Sequence, residues 1–328
     1  PGRAGHKLSI KASAIIQAAR ENIAVLFNIE DPSRIVFTLN VTEALNTVIN
    51  GVLNPGDHVL TTAMEHNSVM RPLTHLENSG IITLTITPCD HKGFLDLDTF
   101  KKSIRPETAL VVVNHASNVC GTIQNLKQIK AAIGSIPMLV DAAQTAGCFP
   151  IDVAADGIDF LAFTGHKGML GPQGTGGFYM REGLSVRPLK RGGTGSISEE
   201  LIQPDFLPDA LESGTQNNVG IAGLGAAVEF ILKQGVEKIR AHETGLTADL
   251  LKKLHHAPGL TIYGPLDAEQ QTATLSITFD SIMPMEDDPG FTGCGSINLT
   301  WMEEGVPVGE VGDRLDDEHD ILVRVGLH

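Results

Sequence analysis

The chain has 328 residues, of which 42% are hydrophobic and 19% charged, as in an ordinary globular protein. Its 24 basic and 39 acidic residues give a net charge of −15, which argues against nucleic acid or an anionic membrane as a partner. No apolar run approaches the roughly 20 residues needed to cross a bilayer. The four cysteines form no CxxC pair, so we expect no metal site, no disulfide framework and a cytoplasmic location.

Short β-rich runs alternate with helical patterns through most of the chain. The predicted strands are Ile35–Leu39, His58–Thr62, Ile81–Thr87, Ala109–Asn114, Met138–Asp141, Phe160–Phe163 and Gly177–Met180. The helical patterns between them cover Thr42–Leu53, Ser68–Asn78 and Asn125–Ile133. Several strands are apolar without alternation, as expected for strands that are buried on both faces. The pattern predicts an α/β fold in which helices cover both faces of a mainly parallel sheet.

The pattern changes near residue 217. Two long helices are predicted over Asn217–Gln234 and Val236–His256, followed by strands over Leu260–Tyr263 and Ala273–Phe279. We therefore predict a large domain over residues 1–220 and a smaller α+β domain over residues 221–328. The segment Ser281–Pro307 has no clear period and is long for a loop, so a lid, a disordered insertion and a sequence error all remain open.

Two predicted strands end in residues with distinctive chemistry. Lys167 follows the strand Phe160–Phe163, and ligands of open parallel sheets bind beyond the carboxyl ends of the strands. A desolvated lysine there is a nucleophile towards an aldehyde. Asp141 ends another apolar strand, where a carboxylate keeps a pyridine nitrogen protonated. Gln144, three residues later, is placed to bond a phenolic oxygen on the same ring.

Three further strands are followed by polar residues that suit the same ligand. Thr42 lies in the first turn of a helix, where backbone N–H groups favour a phosphate. His66 follows the strand His58–Thr62 and suits stacking on a ring. Asn118 follows the most apolar strand, within reach of a phenolic oxygen or a substrate.

Each of these residues alone has an ordinary structural explanation. A lysine is usually a surface group, an aspartate or a threonine often caps a turn or a helix, and an isolated histidine is more often structural. Together they match an aldehyde, a pyridine nitrogen, a phenolic oxygen, a ring face and a phosphate. That set belongs to pyridoxal 5'-phosphate (PLP).

The sequence also resembles the class V aminotransferases, and within them the cysteine desulfurases and selenocysteine lyases. The resemblance lies in the stretches TLNVTEALN, MEHNS, HASNVCGT, VDAAQTAG, FTGHK and LESGTQN. It implies a fold-type I PLP-dependent transferase with a seven-stranded, mainly parallel sheet. It also implies a homodimer whose active sites lie at the subunit interface.

The resemblance further implies a role for each candidate residue. Lys167 carries PLP as a Schiff base and is catalytic together with His66, which stacks on the ring, while Asp141 pairs with the pyridinium. The remaining residues form a cofactor-binding set: Gln144 and Asn118 near the phenolic oxygen, Thr42, Thr164 and His166 at the phosphate, and Thr215 at the phosphate of the other subunit.

The implied function is a PLP-dependent cysteine desulfurase, which takes sulfur from L-cysteine and leaves L-alanine and an enzyme persulfide. A sulfur-acceptor protein is an implied partner. In the family, the nucleophilic cysteine directly follows the segment Gly326-Leu-His328, and the carboxylate-binding arginine lies further on. The smaller domain is therefore expected to be incomplete in this sequence. Three alternatives are a selenocysteine lyase, another class V aminotransferase, and a truncated PLP-binding protein without catalysis.

Overall fold

The computed structural model describes residues 7–197, 199–279, 282–284, 299–301, 308–319 and 322–324. Its helices are α1 Lys7–Leu26, α2 Val41–Val52, α3 Asn67–Asn78, α4 Leu97–Lys102, α5 Leu126–Ile133, α6 Asn218–Gln234, α7 Val236–Leu254 and α8 Val308–His319. Its strands are β1 Ile35–Thr38, β2 His58–Thr62, β3 Thr83–Thr87, β4 Thr108–Asn114, β5 Met138–Asp141, β6 Phe160–Thr164, β7 Gly176–Met180, β8 Leu260–Tyr263, β9 Ser276–Phe279, β10 Ile282–Pro284 and β11 Leu299–Trp301.

The central sheet has seven strands in the order β1-β7-β6-β5-β4-β2-β3. The strands from β6 to β3 in this order pair in parallel, whereas β7 is antiparallel to both of its neighbours, β1 and β6. Six strands therefore run in one direction and only β7 runs against them. The predicted fold class, a mainly parallel seven-stranded sheet of fold-type I, is confirmed.

Both faces of the sheet are buried. In β4, Val111 and Val113 belong to one apolar cluster with residues of α1, α5 and α6. Leu110 and Val112, which alternate with them, belong to a second cluster with residues of α2 and α3. Because neighbouring side chains of a strand point to opposite faces, this division shows that the helices sandwich the sheet.

The chain divides into two compact units. The first comprises residues 1–117 and 123–243, and the second comprises residues 118–122 and 244–328. The division after Glu243 lies further along the chain than the predicted boundary after residue 220. The reason is that α6 packs on α1, where a Cβ on Gly225 would lie 2.7 Å from the Cβ of Ala19. Helix α6 is thus part of the first unit.

The second unit contains two small antiparallel pairs, β8 with β9 and β10 with β11. Residues 118–122 join it through the hydroxyl of Ser276, which donates to the carbonyl of Val119 at 2.6 Å. Gly121, with φ of +73°, passes so close to the carbonyl of Thr274 that a Cβ would lie 2.6 Å away. Strands β10 and β11 fall within Ser281–Pro307, and the rest of that segment lies outside the described residues.

Among the described residues, no single helix is long and apolar enough to cross a membrane. Helices α6 and α7 pass that test only as a pair, which is bent by 79° at the break between them.

Candidate active site

The predicted site residues of the first unit follow strands that end at the same edge of the sheet. Thr42 follows β1, His66 follows β2, and Lys167 follows β6. Asp141 is the last residue of β5 and pairs in the ladder with Asn114, the last residue of β4. Because all five strands run in one direction, their carboxyl ends form one rim, which is where open parallel sheets bind ligands.

Asp141 is a buried carboxylate at the end of β5. Its Oδ1 accepts a hydrogen bond from the N–H of Ala143 at 2.9 Å. Burial raises the pKa of Asp141, and the Ala143 N–H and the Lys167 ammonium partly oppose that rise. Asp141 ends β5 and Lys167 follows β6, the neighbouring strand of the sheet, so both residues lie at the same rim.

The loop that carries Lys167 is folded tightly back on itself. The N–H of Leu170 donates to the carbonyl of Lys167 at 2.8 Å, and the N–H of Gly171 donates to the carbonyl of Gly165 at 2.7 Å. A Cβ on Gly165 would lie 2.0 Å from Oγ1 of Thr175, so only glycine fits there. These contacts present the exposed Lys167 side chain at the rim of the sheet.

The N-terminus of α2 lies beside the same loop. Asn40 caps the helix by accepting from the N–H of Glu43 at 3.0 Å. Gly176 of β7, which pairs with Thr164 of β6, lies so close to the backbone of Asn40 that a Cβ would be 2.7 Å from its Cα. The missing side chain at Gly176 therefore lets the first turn of α2 approach the end of β6.

A hydrogen-bonded chain joins Thr42 to His66. The hydroxyls of Thr42 and Ser68 lie 2.8 Å apart, and the Ser68 hydroxyl lies 2.9 Å from Nδ1 of His66. The backbone N–H of Ser68 donates to the same Nδ1 at 3.1 Å, so His66 caps α3. An Nδ1 that accepts a hydrogen bond places the proton of a neutral ring on Nε2.

Glu65 has a structural role that the sequence analysis did not assign. Its Oε1 accepts from the Thr62 hydroxyl at 2.7 Å and from the N–H of Asn114 at 2.9 Å. The Asn114 amide in turn donates to the carbonyl of Met64 at 2.6 Å. The segment that carries His66 is thereby fastened to the end of β4. The feature of the sequence that could have indicated this role is an acidic residue placed three positions after Thr62, the last residue of a buried strand.

The remaining predicted residues lie in different surroundings. Thr164 is buried, and its hydroxyl lies 3.1 Å from Nδ1 of the exposed His166. Gln144 is half-buried in the turn after β5. Asn118 belongs to the stretch 118–122 of the second unit, so its predicted contact with the cofactor stays a prediction.

Thr215 is exposed and lines a cavity of about 270 Å³ together with Arg20, Glu212 and Thr194. Arg20 and Glu212 form a buried ion pair with a closest approach of 2.9 Å. Glu212 also accepts from the N–H of Phe37 at 2.7 Å, which attaches the segment before Thr215 to β1. The predicted contact of Thr215 with a second subunit stays a prediction.

The residues at the rim have the chemistry that PLP requires. An amine, a buried carboxylate and an imidazole follow strands that end at this rim, and a helix N-terminus with two threonine hydroxyls provides donors for a phosphate. The close approach allowed by Gly176 brings that helix end to Thr164. The described residues contain no group of three or more His, Cys, Asp or Glu side chains arranged to hold a metal ion.

Comparison with known proteins identifies the family. The family described as "Aminotransferase class-V" matches residues 1–289. The chain belongs to this family. A relative described as a probable cysteine desulfurase of Methanothermobacter thermautotrophicus is 34% identical over 291 residues, which cover 86% of this chain and 72% of the relative. A cysteine desulfurase of Pectobacterium atrosepticum is 34% identical over 275 residues, which cover 80% of this chain and 67% of the relative.

The fold agrees with a solved structure of the same kind. The apo structure of a cysteine desulfurase from Thermococcus onnurineus NA1 matches with a TM-score of 0.82 and 29% identity, covering 98% of this chain and 76% of that one. The structural neighbours are thus cysteine desulfurases, as predicted from the sequence motifs. Membership of the class V aminotransferases implies the use of PLP.

Proposed function

We propose that this protein is a PLP-dependent cysteine desulfurase, which removes the sulfur of L-cysteine and leaves L-alanine. The observation that carries the proposal is the position of Lys167 and the buried Asp141 after two neighbouring parallel strands, β6 and β5, at one rim of the sheet. Relatives that share about a third of their residues with this chain are described as cysteine desulfurases, which supports this substrate over other amino acids.

The proposed roles follow from what each residue presents to the rim. Lys167 holds the cofactor covalently and moves the Cα proton of the substrate. Asp141 would pair with the pyridine nitrogen of bound PLP, and its burial would strengthen that interaction. His66 presents a neutral ring for stacking. PLP, when bound, supplies an aldehyde that condenses with amines and a ring that withdraws electrons from the Cα bonds.

The phosphate is proposed to lie at the N-terminus of α2. The first N–H groups of a helix have no partner within the helix, and the helix dipole adds positive potential. Thr42, Thr164 and His166 surround this point as further donors. Gln144 and Asn118 are proposed near the phenolic oxygen, and Thr215 at the phosphate of a second subunit.

The proposed partners complete this assignment. A homodimer, a sulfur-acceptor protein and a cytoplasmic location go with the proposed activity, and each is open to direct measurement. Light scattering of the purified protein would test the homodimer. A molar mass equal to that of one chain would count against the homodimer.

The test is an assay of the full-length protein for alanine and sulfide released from L-cysteine in the presence of a reductant. Lys167→Ala is expected to abolish both products, whereas Lys127→Ala removes an exposed lysine on α5 and is expected to change neither. Pyruvate without sulfide would refute the desulfurase assignment. Preference for selenocysteine in a competition assay would replace it with the selenocysteine lyase alternative.

A further inference from the structure

The carboxyl group of Glu65 is the buried titratable group at the rim that the proposed roles leave unused. Oε1 accepts two hydrogen bonds, from Thr62 and Asn114, as described above. Oε2 is also buried and has no hydrogen-bond partner among the residues that the structure describes. A charge spread over both oxygens would leave half of the carboxylate uncompensated in an apolar environment, which is costly.

The side chain of Asn114 also has a buried acceptor that lacks a hydrogen-bond donor. Its amide nitrogen donates to the carbonyl of Met64, but its Oδ1 is buried without a donor from the described part of the chain. Both Oε2 of Glu65 and Oδ1 of Asn114 are acceptors, and the two residues already contact each other through the Asn114 N–H. One proton on Oε2 gives this pair the donor that it lacks.

We propose that Glu65 is a positioning residue of the active site, where its neutral carboxyl group fastens the segment of His66 to the end of β4. This inference rests on the proposed function for its effect on PLP but not for the protonation of Glu65. The carboxyl bridges the segment after β2 and the last residue of β4, and His66 is its immediate neighbour. A neutral Glu65 also leaves Asp141 as the anionic carboxylate facing Lys167.

The electrostatic surroundings agree with a neutral group. Burial raises the pKa of Glu65 to about 8, the bonds from Thr62 and Asn114 oppose the rise, and the charge of Asp141 adds to it. The titratable groups around Glu65 are Asp141 at the end of β5, with Lys167 beyond it, and His66 in the next position. Glu65 follows β2 and Asp141 ends β5, with β4 between the two strands. Two carboxylates near each other disfavour simultaneous ionisation.

The first arm of the test uses the apo-protein and the variant Glu65→Gln. Glutamine keeps the carbonyl acceptor and replaces the O–H donor of the protonated acid with an amide NH2 group. Because the folded pKa lies above the unfolded one, the acid stabilises the fold below the unfolded pKa, and this contribution disappears as pH rises through about 8. We therefore expect the difference in Tm, wild type minus Glu65→Gln, to decrease as the pH is raised from 5 to 9.

The matched control is Glu229→Gln, which changes an exposed glutamate on α6 in the same way. Its Tm difference from the wild type is expected to stay constant over this pH range. A Glu65→Gln difference that is flat or that rises with pH would mean that Glu65 is ionised in the folded protein, and would overturn the proposal.

The second arm measures the Kd for PLP and the absorbance spectrum of the loaded protein. Glu65→Gln is expected to keep both, whereas Glu65→Ala is expected to raise the Kd by about tenfold and to shift the spectrum. In a His66→Ala background, Glu65→Ala should have no further effect, because its influence passes through His66. Equal effects in both backgrounds would refute the positioning role.

The two proposals fail in distinguishable ways. If the wild type binds no PLP, the proposed function fails, while the apo-protein comparison still decides the protonation of Glu65. If the wild type binds PLP and Glu65→Ala leaves Kd and spectrum unchanged, only the positioning role is refuted. Should Glu65→Ala not fold, the loss of PLP affinity by the isosteric Glu65→Gln would refute the neutral form.

Discussion

The ion pair of Arg20 and Glu212 is expected to contribute strongly to the stability of the first unit. The two side chains are 4% and 2% exposed, so solvent does not screen their charges. Arg20 also donates to the carbonyl of Ile35, and Glu212 accepts from the N–H of Phe37. Changing Glu212 to Gln keeps the shape but leaves the buried guanidinium without a counter-charge. Removal of one partner of a buried pair costs about 3–5 kcal/mol.

The assay is urea unfolding of the apo-protein, followed by circular dichroism at 222 nm. With a urea dependence of up to about 3 kcal/mol per molar, the expected loss lowers the midpoint by about 1 M or more. The matched control is Asp249→Asn, which makes the same carboxylate-to-amide change in the pair with Lys253. Those two side chains are 58% and 70% exposed, so we expect a loss of at most about 1 kcal/mol.

The two variants are compared by the shift in their urea midpoints. If Glu212→Gln shifts the midpoint no more than Asp249→Asn does, burial does not strengthen this pair and the reasoning is wrong. The double variant Arg20→Met with Glu212→Gln provides a second check. It is expected to be no less stable than Glu212→Gln alone, because no unpaired charge remains in the interior.

Four further outcomes are expected. Lys167→Ala should abolish the visible absorbance that appears when PLP is added, and an unchanged band would point to another lysine. Asp141→Ala should keep some PLP but stop deuterium exchange at the substrate Cα, so wild-type exchange would refute its role. Burial lowers the pKa of His115 to about 4, so the stability that its neutral form provides should be lost as pH falls from 6.5 to 4. His115→Gln should flatten that part of the stability profile, and an unchanged profile would contradict the assignment. Burial raises the pKa of the Cys148 thiol to about 12, so iodoacetamide at pH 8 should label Cys89 before Cys148, as peptide mapping can show.

The sheet was well predicted because its strands are short apolar runs that end in polar residues. β2 and β5 have the predicted bounds, and α6 begins one residue after the predicted start at Asn217. Helix α1 was not assigned. Its buried face includes Ala19 and the charged Arg20, whose burial depends on Glu212, 192 positions away. An ion pair over such a separation leaves no local pattern in the sequence.

In the candidate site, too, contacts between residues far apart in the sequence could not be predicted. The strand ends indicated Asp141 and Lys167 because each follows an apolar run. The environment of Glu65 was not predictable from its neighbours, since a backbone N–H 49 positions later completes it. The first unit extends beyond the predicted boundary at residue 220, because the packing of α6 on α1 is a contact between distant parts of the chain.

The edge position of β1 has a consequence for synthesis on the ribosome. Its hydrogen-bonding partner in the sheet is β7, where Ile35 pairs with Tyr179, roughly 140 residues later. In the sheet order β7 alone lies between β1 and the other strands, so β1 has no neighbouring strand until β7 is synthesised. The nascent chain must therefore carry β1 without its sheet partner for about 7–28 s at ordinary elongation rates of about 5–20 residues per second.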